Sequence, residues 1–274
     1  MFMVEQIGPL LGRTLVLVAH PDDETLGAGV LLQRMREPVV AFATDGAPRD
    51  RWFWSKYGSR AAYADTRRQE AEAALALAGV KRFHFLANPN DRSRFVDQDL
   101  FLWIPEAMDK LEELIARTQP EAILSHAYEG GHPDHDTCCF LATRLASQHN
   151  LPLWEFPLYH RSRVGVLTRQ EFMNPVGNEV LLDGTVPEVE LKKRMFAAHA
   201  TQAATLAEFR ASLERFRPMF AYDFSRPPHL GMLNYEAWQW PVTGSQVVSA
   251  FQCWFNSRVP QEIETSDPGV RTVA

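Results

Sequence analysis

Cysteine is scarce in this chain, with three in 274 residues and two of them adjacent at Cys138 and Cys139. Neighbouring thiols are poorly placed to bridge, so no disulfide framework is implied and a reducing, cytoplasmic setting is expected. Long hydrophobic runs are missing too. None approaches the roughly 20 residues of a membrane span, so no membrane partner is expected. Residues 1–11 lack a basic segment leading into an apolar core and do not read as a signal peptide. Positive charge is not in excess: 28 basic against 34 acidic side chains leave a net charge of −6, which disfavours a nucleic-acid partner. A dinucleotide fingerprint is also lacking. Gly27-Ala28-Gly29 is followed by Leu32 where a third glycine would stand, which argues against a nicotinamide or flavin enzyme.

What is present begins with alternation. Apolar runs at 14–18, 39–43, 82–86 and 122–125 read as strands. Segments at 25–36, 61–78, 104–117 and 136–148 carry helical spacing. Strands alternating with helices predict an α/β fold with a doubly wound, mostly parallel sheet. Such sheets bind ligands beyond the carboxyl ends of their strands. The second half is less regular. A fifth strand is expected within 151–156 and one long helix over 187–209, opened by Pro187. From residue 217 the Pro-, Trp- and Tyr-rich sequence has no clear period and reads as a C-terminal cap, with a frayed tail over 262–274. That aromatic segment leaves a homo-oligomer contact open.

Two clusters carry the chemistry. Ala19-His20-Pro21-Asp22-Asp23-Glu24 follows the first strand, and His132-Pro133-Asp134-His135 follows the fourth. Carboxylates crowded beside imidazoles repel one another unless a cation or proton sits among them. His20, Asp23 and one histidine of the second cluster would give a catalytic zinc its three protein ligands. Asp22 is then free to take a proton from water attacking a carbonyl. Of His132 and His135, one completes the ligand set. The other, held in one tautomer by Asp134, would steady an oxyanion or protonate a leaving amine. Metal-assisted hydrolysis of an amide or ester follows, with zinc (Zn2+) or another divalent ion as cofactor.

Together the clusters resemble the LmbE-like family, which includes the N-acetylglucosaminyl-phosphatidylinositol de-N-acetylases (PIG-L). The likeness extends to Thr44-Asp45-Gly46-Ala47-Pro48, Arg67-Arg68-Gln69-Glu70 and His199-Ala200-Thr201-Gln202. The resemblance implies a Rossmann-like fold in one domain spanning 1–274, with a core over about 12–205 and a cap over about 206–261. It implies a zinc-dependent deacetylase acting on a small N-acetylated substrate, such as an N-acetylglucosamine conjugate. His20, Asp23 and His135 would be the metal ligands and Asp22 the general base. His132 would be a charged histidine oriented by Asp134, and Arg67, Asp45 and Asn90 would contact substrate. The rivals are cleavage of another amide, such as a thiol-conjugate amide, hydration without hydrolysis, and a ligand-binding protein whose metal is structural. Plainer roles also exist for the outer residues: an ion pair of Arg67 with Glu70, a turn at Asp45, a packed His199, and core positions for Trp238 and Trp240.

Overall fold

The computed structural model describes residues 6–219 and 221–258. Its main sheet has seven strands in the order β3-β2-β1-β4-β5-β9-β8. These are β1 (Thr14–Val18), β2 (Val39–Phe42), β3 (Arg82–Phe85), β4 (Ala122–His126), β5 (Leu153–Phe156), β8 (Val180–Asp183) and β9 (Leu213–Pro218). The first five pair in parallel and the last two antiparallel. A separate hairpin joins β6 (Tyr159–Arg161) to β7 (Leu167–Arg169). Every residue of β1, β2 and β4 is buried. Strands covered on both faces favour near-continuous apolar side chains, and the polar exceptions at their ends are bonded: the Thr14 and Ser125 hydroxyls donate to the Leu10 and Leu17 carbonyls, and His126 accepts from the Ala19 amide.

The principal helices are α1 (Asp23–Arg34), α2 (Arg60–Leu77), α3 (Ile104–Thr118), α4 (Pro133–His149), α5 (Val186–Ala198) and α6 (Gly244–Arg258). Alternate residues of β1 enter two cores. Leu15 and Leu17 pack with Met108, Leu111, Phe140 and Phe251 from α3, α4 and α6. Val16 and Val18 pack with Leu31, Leu75 and Met195 from α1, α2 and α5. The period of two in a strand thus assigns each helix to a side. Among the described residues, no helix is long and apolar enough to cross a membrane.

Three expectations need correction. The helix expected over 187–209 stops at Ala198. A 3-10 turn, Ala200–Gln202, and a short helix, Ala203–Leu206, follow. His199 leaves helical geometry with its ring buried against Thr25 and Glu24, while the Thr201 amide and hydroxyl donate to Glu70. These tertiary bonds to α1 and α2 outweigh the local propensity of the segment. Residues 213–218, expected in the cap, instead supply β9 to the main sheet. The segment without an evident period contains α6, which buries Val247, Val248, Phe251 and Trp254 on one helical face. The tail at 262–274 lies outside the described residues.

The chain winds from β1 outward to β2 and β3, then returns to β4 on the other side of β1. That reversal opens a crevice beyond the carboxyl ends of β1 and β4. Both acid-and-histidine loops leave the sheet there.

Candidate metal centre and active site

Immediately after β1 the chain turns sharply into α1. Asp22 occupies this turn with φ 143° and ψ −25°, a backbone conformation that costs a non-glycine residue about 1–3 kcal/mol. Its amide is bonded to Glu24 at 3.0 Å. The loop after β4 is fastened by Asp136 of α4, whose Oδ1 accepts from the amides of Glu129 and Gly130 at 3.2 and 3.0 Å. His132 caps α4, and Pro133 occupies the first turn, where its missing N–H costs nothing.

These turns bring the two clusters face to face. Asp23 Oδ2 lies 3.2 Å from His20 Nδ1 and 3.3 Å from His135 Nε2. His20 Nε2 lies 3.1 Å from Asp134 Oδ2, and in the tautomer that donates there Nδ1 would turn a lone pair toward a shared cation. His135 Nε2 is buried with no hydrogen-bond partner. Ligands about 2.0–2.1 Å from one tetrahedral ion sit roughly 3.3 Å apart, so these atoms have the spacing of a shared cation. Burial opposes a charge on His20, yet Asp97 and Asp23 raise its pKa well above the usual imidazole value. Asp23 is also opposed by burial, and His135, His20 and His126 hold its carboxyl well below the usual range. Both shifts express a demand for positive charge at this point. The donor set of two imidazoles and a carboxylate fits a divalent metal of the zinc type. Mutually close groups of possible ligands in this region are His20 with His132 and His135, His20 with Asp97, His132 and Asp134, and Asp23 with His126 and His135, so His20 and Asp23 fall in different groups and His135 is common to two.

Asp134 does not orient His132 with its carboxylate. That carboxylate accepts from the amides of Gln98 and Leu100 at 2.6 and 3.0 Å and holds His20, the arrangement by which an outer carboxylate fixes a metal-binding imidazole. His132 is fixed instead by the Asp134 backbone amide, which donates to its Nδ1 at 3.1 Å. Its Nε2 then carries the hydrogen and lies 3.2 Å from Asp97 Oδ1. The surroundings of His132 oppose the charge expected of it. Burial, reinforced by His20, pushes its pKa down to about 4.

Arg67 reaches in from α2 and binds the loop that carries Asp22. Its guanidinium donates to Asp22 Oδ2 and the Pro21 carbonyl at 2.9 Å each, and to the Gly46 carbonyl. The expected surface pairing with Glu70 is absent because Glu70 is engaged by Thr201. Burial raises the pKa of Asp22 and Arg67 partly offsets this. Gly46 is required beside it: φ is 65°, and a Cβ would stand 2.8 Å from Arg67 Cζ.

Two sequence candidates fall outside the site. Asp45 pairs with Arg60 at 2.6 Å and caps the Ala47 amide, and it does not line the main cavity. Asn90 is exposed on the turn after β3, where its amide bonds Asn88 Oδ1 at 2.9 Å. Further along that same loop, Asp97 was missed. It lies 3.3 Å from His20, 3.2 Å from His132 and 3.7 Å from Arg67. The strand-end rule, extended to β3, would point to this loop but not to the residue. His126, the last residue of β4, was also missed. Its ring stacks on His135 at 4.1 Å, and its Nε2 accepts from the Ala19 amide at 3.0 Å, so that lone pair is already used.

Above this floor opens a cavity of about 740 Å³. Its lining includes His20, Asp22, Asp23, Arg67, Asp97 and His132 below, and Tyr159, Trp238 and Trp240 above. Trp238 and Trp240 are therefore cavity residues and not simply core. The upper segment is joined to the second cluster's loop: Asn234 donates from its amide to the Gly130 carbonyl at 2.9 Å and from its side chain to the Gly131 carbonyl at 3.1 Å.

Residues 15–146 match a family model described as PIG-L, GlcNAc-PI de-N-acetylase. A Bacillus cereus protein, the probable N-acetyl-alpha-D-glucosaminyl L-malate deacetylase 2, is 26% identical over 206 residues, covering 72% of this chain and 86% of its own. A 1D-myo-inositol 2-acetamido-2-deoxy-alpha-D-glucopyranoside deacetylase from a Mycobacterium species is 28% identical over 240 residues, covering 72% and 76%. Among solved structures, a deacetylase of teicoplanin biosynthesis in complex with teicoplanin aligns with TM-score 0.56 at 17% identity, covering 75% of this chain and 97% of that one. N,N'-diacetylchitobiose deacetylase from Pyrococcus horikoshii aligns with TM-score 0.51 at 20% identity, covering 76% and 83%. At those identities the structures establish the shared fold.

Proposed function

We propose that the chain is a member of the LmbE-like, PIG-L family, whose model matches residues 15–146, and that it is a zinc-dependent N-deacetylase of a small N-acetylglucosamine-type sugar conjugate. The observation that carries the reading is Asp23 Oδ2 standing 3.2 Å from His20 Nδ1 and 3.3 Å from His135 Nε2, beneath a cavity lined by His20, Asp22, Asp23 and His132. His20 Nδ1, Asp23 Oδ2 and His135 Nε2 would hold the zinc, which supplies Lewis acidity to polarise an acyl carbonyl and acidify water.

The chain's own residues do the rest. Asp22, its carboxylate aimed by Arg67, accepts the proton of the attacking water. Burial makes it a stronger base than an exposed aspartate. His132 presents its Nε2 hydrogen to the oxygen on which negative charge develops, acting as a neutral donor held by the Asp134 amide. The proton taken by Asp22 passes to the amide nitrogen as the C–N bond breaks, so that the nitrogen leaves as an amine and the acyl group, with the water's oxygen, as acetate. Asp97 Oδ1 stands 3.3 Å from His20 Nε2 and 3.2 Å from His132 Nε2, a negative charge beside both rings.

Zinc-loaded protein incubated with N-acetylglucosamine and its glycosides should release acetate. Asp22→Asn should lower kcat by about 10²–10⁴-fold while metal content stays unchanged. Absence of acetate from every sugar by metal-loaded protein rejects the reading.

A further inference from the structure

The cavity's floor gathers imidazoles and carboxylates, whereas its upper wall presents aromatic rings beside charges that are already paired. From His135 an aromatic path climbs to the mouth and returns. Tyr159 lies 5.4 Å from the His135 ring, Trp238 5.9 Å from Tyr159, Trp240 5.2 Å from Trp238, and Trp240 comes within 4.9 Å of His132. Trp238 lines this space yet is 42% exposed, so much of its ring is available to a ligand.

The charges around the mouth are already matched. Arg169 is bonded to Glu208, Arg49 to Asp99 at 2.6 Å, and Asp50 accepts from the Trp52 amide at 2.9 Å as a helix cap. Among the described lining residues, every arginine above the floor has an acidic partner, and there is no lysine. The upper cavity therefore offers ring faces and no spare cation.

We propose that this wall is a subsite for a neutral, flat apolar group, such as an aryl aglycone, carried on the amine side of the scissile amide. The assignment rests on the deacetylase reading, which fixes where the amide lies and leaves only a methyl group to house on the acyl side. The remaining volume then belongs to the amine side. Aromatic faces reward flat apolar partners. A carboxylate set against them would lose its water without gaining a cation. The Bacillus cereus relative is named for a malate conjugate, an anion. This chain's wall offers no unpaired cation for such a group.

The test uses full-length, zinc-loaded protein carrying Asp22→Asn to suppress turnover, with calorimetric titration of the phenyl, methyl and malyl glycosides of N-acetylglucosamine. The phenyl glycoside should bind about tenfold more tightly than the methyl glycoside, with the malyl glycoside no tighter than methyl. Adding Trp238→Ala should cut the phenyl advantage to below about threefold, and Trp238→Phe should keep most of it. Glu208→Gln, which releases Arg169, should improve malyl binding selectively. The proposal is overturned by malyl binding as tight as phenyl, by a phenyl advantage that survives Trp238→Ala, or by no phenyl binding at all. It is equally overturned if lengthening the acyl chain of the methyl glycoside gives the larger gain. Binding order judges the wall, and acetate release by the parent chain judges the reaction, so the two fail separately.

Discussion

The floor and the upper wall of the cavity come from different parts of the chain and follow different rules. The floor is assembled by turns at the ends of β1, β3 and β4, within a parallel sheet buried on both faces. Most polar atoms there have a fixed counterpart; the buried atoms without a hydrogen-bond partner include His135 Nε2 and Asp97 Oδ1 beside the site, with Arg67 Nε, His126 Nδ1 and Asp136 Oδ2 behind it. The upper wall is built by the β6–β7 hairpin and residues 238–242, from rings with few polar constraints. Chemistry resides where geometry is over-determined, and selectivity where packing alone decides. Floor variants should therefore abolish metal binding or turnover, and wall variants should re-rank ligands.

The largest expected effect is at Asp23, whose Oδ2 touches both histidines. Asp23→Ala should abolish stoichiometric zinc binding, measured by elemental analysis after dialysis, while Trp238→Ala keeps full metal content. Equal loss in both would erase the distinction between the regions. Asp134→Asn comes next. Because this carboxylate holds His20, the substitution should weaken zinc affinity about 10–100-fold in a chelator competition. A fall in kcat with zinc affinity intact would return Asp134 to His132. Gly46→Ala should destabilise the fold by about 1–3 kcal/mol through its positive φ and the clash with Arg67. It should lower kcat more than it changes KM, since Arg67 aims Asp22.

The smallest effect concerns neither region. Glu188 is bound by Arg34 at 2.7 Å, and that bond lowers its pKa from 4.5 to about 2. A depressed carboxyl pKa contributes stability above its unfolded value that is lost as pH falls from about 4.5 to about 2. Glu188→Gln should remove about 1 kcal/mol at neutral pH and flatten the acid limb of a denaturation series, leaving metal and ligand affinities unchanged. A change in either affinity would mean that α5 communicates with the cavity.

The same division governs what could be read from sequence. The strands were legible because burial on both faces favours near-continuous apolar runs, and the clusters at 20–24 and 132–135 were legible because they sit where such runs stop. Asp97 was not, since it stands in a loop with no period and becomes part of the site only when β3 brings that loop beside β1. His126 hid as the last residue of a strand. The break at His199 depends on bonds to Glu24 and Glu70, partners more than a hundred residues away. Asn90 and Asp45 were drawn toward the site by motif likeness, but local turns and the Arg60 pairing hold them elsewhere. The periodicity of α6 was present in Val247, Phe251 and Trp254, but the Pro- and Trp-rich stretch before it obscured its start.

Asn234 ties the upper segment to the carbonyls of Gly130 and Gly131, one or two residues from His132. Neither glycine has room for a side chain, because a Cβ would strike Leu233 in one case and the Tyr159 carbonyl in the other. A roof pinned to the reacting loop in this way cannot swing open without disturbing His132. Ligand capture should then be ungated, a single diffusive step whose rate rises linearly with concentration and never reaches a plateau set by the protein's own motion.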